Sequence, residues 1–288
     1  MAPDDPPGRG AATPAPARPR STYRELPPPA MLAGLVACVW TQAVGEGVAP
    51  YEQRVLPDGC VDVIWMGETV LSLAGPATGP ELVPIASGTT LVGVRFHPGA
   101  APSMLGLPAR ELLNGQALLA DAWGRPAEHL AERLAEAPSA AARLAILPEA
   151  LAARLPHARP PDPLVAAAVT WLRRQPGTRV RDLGVRIGLS DRQLLRRFDA
   201  AVGYGPKTLA RVLRLQRFLA LAERPAGPRA PGPAVDPSSA GGFGAAGPED
   251  GLAALAVAAG YADQAHLSHD CAELAGLPPA GLLAARSA

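Results

Sequence analysis

The chain has 288 residues, 48% of them hydrophobic, enough to bury an ordinary core and to divide it between two domains. Its net charge of +1 hides an asymmetry: residues 162–224 carry 13 Lys and Arg against 5 Asp and Glu, a net +8, while residues 225–288 carry −4 and residues 1–161 carry −3. One short segment therefore has the charge of a polyanion binder. Cys38, Cys60 and Cys271 are too scattered for a disulfide framework or a metal motif, and no apolar run approaches the roughly 18 to 20 residues that span a bilayer. The expected setting is a reducing cytoplasm, with no membrane partner, no metal and no cofactor.

Residues 1–21, rich in Pro, Ala and Arg, read as a disordered tail. Residues 22–155 follow as an N-terminal domain. Short β-prone runs, Gly34–Thr41, Gln53–Leu56, Val61–Met66, Thr69–Leu73 and Thr90–Phe96, are separated by turn signals such as Pro57-Asp58-Gly59. From Ala101 to Arg154 the spacing becomes helical, with Leu130, Leu134, Leu144, Leu147 and Leu151 at three-, four- and seven-residue intervals. This predicts a small, mostly antiparallel β domain with a helical layer. Prolines across 156–163 then block helix continuation and mark an interdomain linker.

The remainder, 164–288, predicts an all-α domain, so the chain as a whole is expected to be α+β. Its first lobe, 164–204, opens with a helix over Pro163–Gln175 and a short one over Arg179–Ile187, turned by Gly188-Leu189. Ser190-Asp191-Arg192-Gln193 matches a capping box, in which two orphaned amides gain partners. In the helix it starts, Leu194, Phe198 and Val202 share the inward face and Arg192, Leu195 and Arg196 the outward one. Arg is the commonest reader of guanine O6 and N7, so this stripe is the candidate major-groove reader. Gly203 ends the helix. A linker helix over 206–223 begins at Gly205-Pro206-Lys207-Thr208, where free amides with Lys207 and Thr208 suit phosphate oxygens, and Arg211, Arg214 and Arg217 recur along it.

Residues 225–250, poor in large apolar side chains, read as a flexible insert. The second lobe, 251–285, repeats the pattern: an Ala-rich helix, the turn Gly260-Tyr261-Ala262, Asp263 as N-cap, and a helix with Leu267, Cys271 and Leu274 inward. Gln264, Ala265, Ser268 and His269 lie outward, with Asp270 and Glu273 nearby to repel phosphate.

The segment resembles the DNA-binding domain of the AraC/XylS family of transcriptional regulators. The resemblance is carried by Asp182-Leu183, Gly188-Leu189-Ser190 and Gly203-Tyr204-Gly205-Pro206-Lys207, then by residues Ala258 to Ser268 and Gly276-Leu277-Pro278-Pro279. It implies seven helices and two reader helices in adjacent major grooves of double-stranded DNA. The family's base-contacting places fall on Arg192, Leu195, Arg196, Gln264, Ala265 and His269, and the phosphate candidates are Lys207, Thr208, Arg211, Arg214 and Ser268. His269 stands where members usually show Arg, and Cys271 where an aromatic follows.

The N-terminal half resembles a domain that precedes such pairs in actinobacterial-type regulators, through Val55 to Asp62 and Val92 to Phe96. By position it is expected to sense a small-molecule effector or to dimerise, and the resemblance extends the partners to RNA polymerase. Trp40, Arg54, Asp58, Asp62, Trp65, Arg95 and His97 are the effector-pocket candidates, against the alternative that Asp62 and Arg95 are an ion pair, Asp58 a turn residue, and the two tryptophans core. With no nucleophile elbow, P-loop or ligand cluster, no enzyme is expected. The alternative is a small-molecule-binding or enzymatic β domain with a degraded helix-turn-helix pair used for protein interaction.

Overall fold

The computed structural model describes residues 21–47, 51–67, 70–223 and 248–287. The expected tail, apart from Ser21, and most of the expected insert lie outside the described residues. The chain is α+β, a β domain followed by a helical one.

A six-stranded antiparallel sheet runs in the order β1-β2-β7-β4-β5-β8, from β1 (Ser21–Leu26), β2 (Val36–Val44), β4 (Asp62–Trp65), β5 (Leu71–Ala74), β7 (Thr90–Phe96) and β8 (Gln116–Leu118). β3 (Tyr51–Val55) and β6 (Glu81–Ile85) form a separate two-stranded ribbon. Because successive strand residues point to opposite faces, the sheet has two cores. Val39, Val63, Trp65, Val92, Val94 and Phe96 meet the helices, while Cys38, Trp40 and Leu91 meet Ile85 and Val83 of the ribbon. The register sets Trp40 opposite Gly93, where a β-carbon would fall 2.3 Å from the indole, so glycine is what admits the ring.

The helical layer consists of α1 (Ala101–Leu105), α2 (Leu119–Trp123), α3 (Arg125–Glu136) and α4 (Ala140–Arg154). Leu130, Leu134, Leu147 and Leu151 are buried as their spacing predicts, and Leu144 packs at the margin. Three strands depart from the expected pattern. β1 exposes nearly every side chain and so carries no alternation, β6 contains Pro84, tolerated in a two-stranded ribbon, and β8 is a three-residue interruption of the helical region.

The C-terminal half is α5 (Pro163–Arg174), α6 (Val180–Ile187), α7 (Asp191–Val202), α8 (Pro206–Ala222), α9 (Pro248–Ala259), α10 (Gln264–Ala275) and α11 (Pro279–Ser287). One core joins Leu172, Leu183, Leu194 and Phe198 of the first lobe, Leu209, Val212, Leu215 and Phe218 of α8, and Leu267, Cys271, Leu274 and Leu282 of the second. The N-terminal domain abuts it: Leu56 and Leu113 pack on this core, and Gln216 Nε2 donates to the Pro57 carbonyl at 2.7 Å.

Candidate nucleic-acid interface

The start of α7 is fixed by its own side chains. Ser190 Oγ accepts from the Gln193 amide at 3.4 Å, and Gln193 Oε1 accepts from the Ser190 amide at 3.1 Å, the reciprocal box that the sequence predicts. With the helix phased this way, Leu194, Phe198 and Val202 are buried, and Arg192, Leu195 and Arg196 stand in solvent. Leu195 is 55% exposed, a large apolar side chain flanked by two guanidinium groups that have no ion-pair partner among the described residues. Such a stripe can form bidentate bonds to base edges while its apolar member meets a thymine methyl. Arg197, one position further round, is instead turned to Asp162 at 2.5 Å, where that carboxylate also caps α5.

Behind the stripe, Gly205 serves as N-cap of α8 and Pro206 occupies its first turn, leaving Lys207 exposed and Thr208 half-buried at a helix N-terminus. Amide donors and the positive end of the helix dipole coincide there with a cation. Arg179 and Arg181, at the start of α6, are likewise exposed and without an ion-pair partner among the described residues. The segment's +8 charge contains their signal, but only the fold shows which arginines stay free.

Arg211 and Arg214, two of the phosphate candidates, are engaged within the protein, as is Arg217. All three turn toward the second lobe: Arg211 Nε lies 2.8 Å from Asp270 Oδ1 and its Nη2 is bonded to Glu273. Arg214 reaches Asp270 Oδ2 at 3.3 Å and the Pro176 carbonyl at 3.3 Å, and Arg217 donates to the Ala258 carbonyl at 3.0 Å. Asp270 is only 1% exposed, so its charge would be untenable without these partners. The acids expected to repel phosphate are thus neutralised by the arginines expected to bind it. A three-residue recurrence shows that the arginines share a side of α8, not what that side meets.

In the second unit Asp263 Oδ1 accepts from the His266 amide at 2.8 Å, the predicted cap. Ala265 and His269 are exposed and Gln264 and Ser268 half-buried, on the outward side of α10. His269 is 66% exposed by side chain and leans on Glu273, Nε2 to Oε1 3.4 Å. His266 packs edge-on against Tyr261, ring centroids 5.2 Å apart.

The seven effector-pocket candidates divide. Trp40, Asp58, Asp62 and Arg95 come together on the ribbon side of the sheet, where Arg95 is held by Asp62 at 2.9 Å, Asp58 at 3.3 Å and Glu25 at 3.6 Å. Burial pushes the Asp62 carboxyl up to about 6, against the pull of Arg95. Three carboxylates around one guanidinium form a satisfied ion cluster, so the ion-pair alternative describes Asp62 and Arg95. Trp65 lies in the main core beneath Arg143, 4.4 Å from ring centroid to guanidinium carbon. Arg54 and His97 sit at the domain boundary, Arg54 donating to the Ala275 carbonyl at 3.1 Å. His97 Nδ1 lies 3.4 Å from Arg173, and burial followed by that guanidinium holds its imidazole below the usual range. An apolar groove of about 590 Å³ opens elsewhere, between Pro27-Pro28-Pro29, Met31 and the Leu144 and Pro148 side of α4, and none of the seven lines it.

Among known proteins, residues 24–117 match a family model described as "Domain of unknown function (DUF6597)". No curated protein matches the chain. Among solved structures, ToxT from Vibrio cholerae is similar over 92% of this chain and 98% of its own, with 10% identity and a TM-score of 0.42. ToxT from Vibrio cholerae O395 gives 92% and 97%, 9% identity and a TM-score of 0.41. An apo ToxT variant from strain SCE256 gives 85% and 96%, 10% identity and a TM-score of 0.41.

Proposed function

We propose that this protein is a sequence-specific, double-stranded-DNA-binding transcriptional regulator that reads adjacent major-groove segments with α7 and α10. The observation that carries the reading is the outward face of α7, where Arg192, Leu195 and Arg196 are exposed on a capped helix and the two arginines have no ion-pair partner among the described residues, with Lys207 at the neighbouring helix N-terminus. Arg192, Leu195 and Arg196 are assigned to bases, with Gln264, Ala265 and His269 as their counterparts on α10. Lys207, Thr208 and Ser268 are assigned to phosphates, joined by Arg179 and Arg181. With its acids paired internally and no free arginine on α10, the second unit contributes less affinity than the first. Effector sensing or dimerisation by the N-terminal domain follows from its position and the family resemblance, RNA polymerase is a further proposed partner, and the scattered cysteines fit a cytoplasmic setting. The alternative of a protein-interaction module rests on the acidity of the second lobe, and Asp270 and Glu273 are spent on Arg211 and Arg214.

The test is a mobility-shift titration of the full chain against the DNA upstream of its own coding sequence, at several salt concentrations. Binding should weaken steeply with salt, because each phosphate contact releases counterions. Arg196→Ala should relax discrimination at one base pair by roughly 1 to 3 kcal/mol, whereas Lys207→Ala should weaken all sequences alike and lower the salt slope by about one. Absent or salt-insensitive binding, unchanged by Arg192→Ala with Arg196→Ala, overturns the reading.

A further inference from the structure

The loop joining β5 to β6, residues 75–80, touches both helix-turn-helix units at the C-terminal ends of α7 and α10. Each of those helices stops at a left-handed glycine, Gly203 with φ 93° and Gly276 with φ 68°. A β-carbon on Gly203 would lie 2.7 Å from Cγ of Pro76 and 3.1 Å from the Ala109 carbonyl oxygen. One on Gly276 would lie 3.3 Å from Cγ of Pro80 and 3.4 Å from Nη1 of Arg54. The bare caps that end the two helices are therefore also the seats on which the N-terminal domain rests. At the second seat, Arg54 of β3 bonds the Ala275 carbonyl at 3.1 Å, placing a cation at the negative end of α10.

The loop is braced from behind. Asn114 Oδ1 accepts from the Thr78 amide at 2.8 Å and from Thr78 Oγ1 at 3.1 Å, the Asn114 amide donates to the Pro76 carbonyl at 3.0 Å, and the Gly75 amide donates to the Gly115 carbonyl at 3.0 Å. Asn114 adopts φ 53° to do so, and the two prolines restrict the loop further. Apart from this contact the second lobe is seated along α8, by apolar packing and by Arg211, Arg214 and Arg217, and it meets the first lobe at the turn before α10, where a β-carbon on Gly260 would lie 3.2 Å from the Gly177 amide nitrogen and 3.3 Å from Cγ of Pro176. That meeting point lies before the N-terminal end of α10, and an attachment at the C-terminal end of the same helix resists pivoting about it.

We propose that residues 75–80, with Arg54, form a strut that fixes the relative pose of α7 and α10, and thereby the spacing of the two DNA segments the chain reads together. Only the second half of this inference rests on the DNA-binding reading. The strut itself is measured without DNA. Val185→Cys on α6 and Val257→Cys on α9 place spin labels at sites 81% and 64% exposed, while the three native cysteines are buried. Pulsed dipolar spectroscopy of the full chain should give a narrow distance distribution in this background. It should broaden with Arg54→Ala plus Asn114→Gly, a pair that removes the bond to α10 and the two side-chain bonds of the brace while glycine keeps the positive φ. Pro80→Gly, which leaves every hydrogen bond in place, should broaden it less, and circular dichroism confirms that each variant is folded. Unchanged widths in both folded variants overturn the strut.

A second arm uses duplexes selected by the unsubstituted chain from a random DNA pool. One base pair inserted between the two contacted segments should abolish its binding, and the Arg54→Ala, Asn114→Gly chain should tolerate the insertion. Broadened distances with no duplex selected leave the strut standing and overturn the DNA-binding reading. Selected duplexes, with distances and spacing preference identical in the variant, overturn the strut and leave the DNA-binding reading standing.

Discussion

Asp270 is held by two guanidinium groups from another helix, and its removal would leave both in a half-buried site with too little negative charge. Breaking a buried pair from one side costs about 3 to 5 kcal/mol. Because Glu273 continues to serve Arg211, Asp270→Ala should fall at the lower end, ~3 kcal/mol, measured by urea unfolding of the full chain. Asp62 gives the fold a dependence on pH. Its folded carboxyl, pushed up to about 6, holds a proton more tightly than the unfolded one, so its contribution to stability is greatest in acid and declines as pH rises through the window from about 4 to 6. Asp62→Asn should flatten the thermal stability profile across that window by up to ~3 kcal/mol. The sequence displays both acids as charges but not their partners, and the partners decide whether a charge repels DNA, binds it or holds two lobes together.

At the scale of elements, α7 depends on a cap that is local in sequence. Ser190→Ala should cost about 1 kcal/mol of stability, read as a lowered urea midpoint with unchanged slope, because one amide of the first turn loses its acceptor. The same locality explains why this half of the fold was legible: Ser190, Gly203, Pro206 and Asp263 announce their helix ends within a few residues. The strands were less so. β1 is held by its ladder to β2 and β6 by its pairing with β3, and nothing within Ser21–Leu26 or Glu81–Ile85 encodes that distant partner. The outward stripe of α7 could be read from period alone. The inward turn of Arg211, Arg214 and Arg217 could not, since both sides of α8 carry apolar and basic residues and only tertiary packing distinguishes them.

At the scale of the molecule, the two domains share a boundary that includes the Gln216 bond to Pro57, the Arg54 bond to Ala275 and the Leu56 and Leu113 contacts with the C-terminal core. Calorimetry of the full chain should therefore show one cooperative transition. Gln216→Ala with Arg54→Ala, each removing a hydrogen bond that contributes about 1 kcal/mol, should separate it into two. This boundary also has a consequence for synthesis. The N-terminal domain is complete once His157 has emerged, but the cap that seats against Pro80 is Gly276. At about 5 to 20 residues per second, the surface around Leu56, Leu113, Pro76 and Pro80 stays uncovered on the ribosome for on the order of ten seconds before its own C-terminal half arrives to cover it.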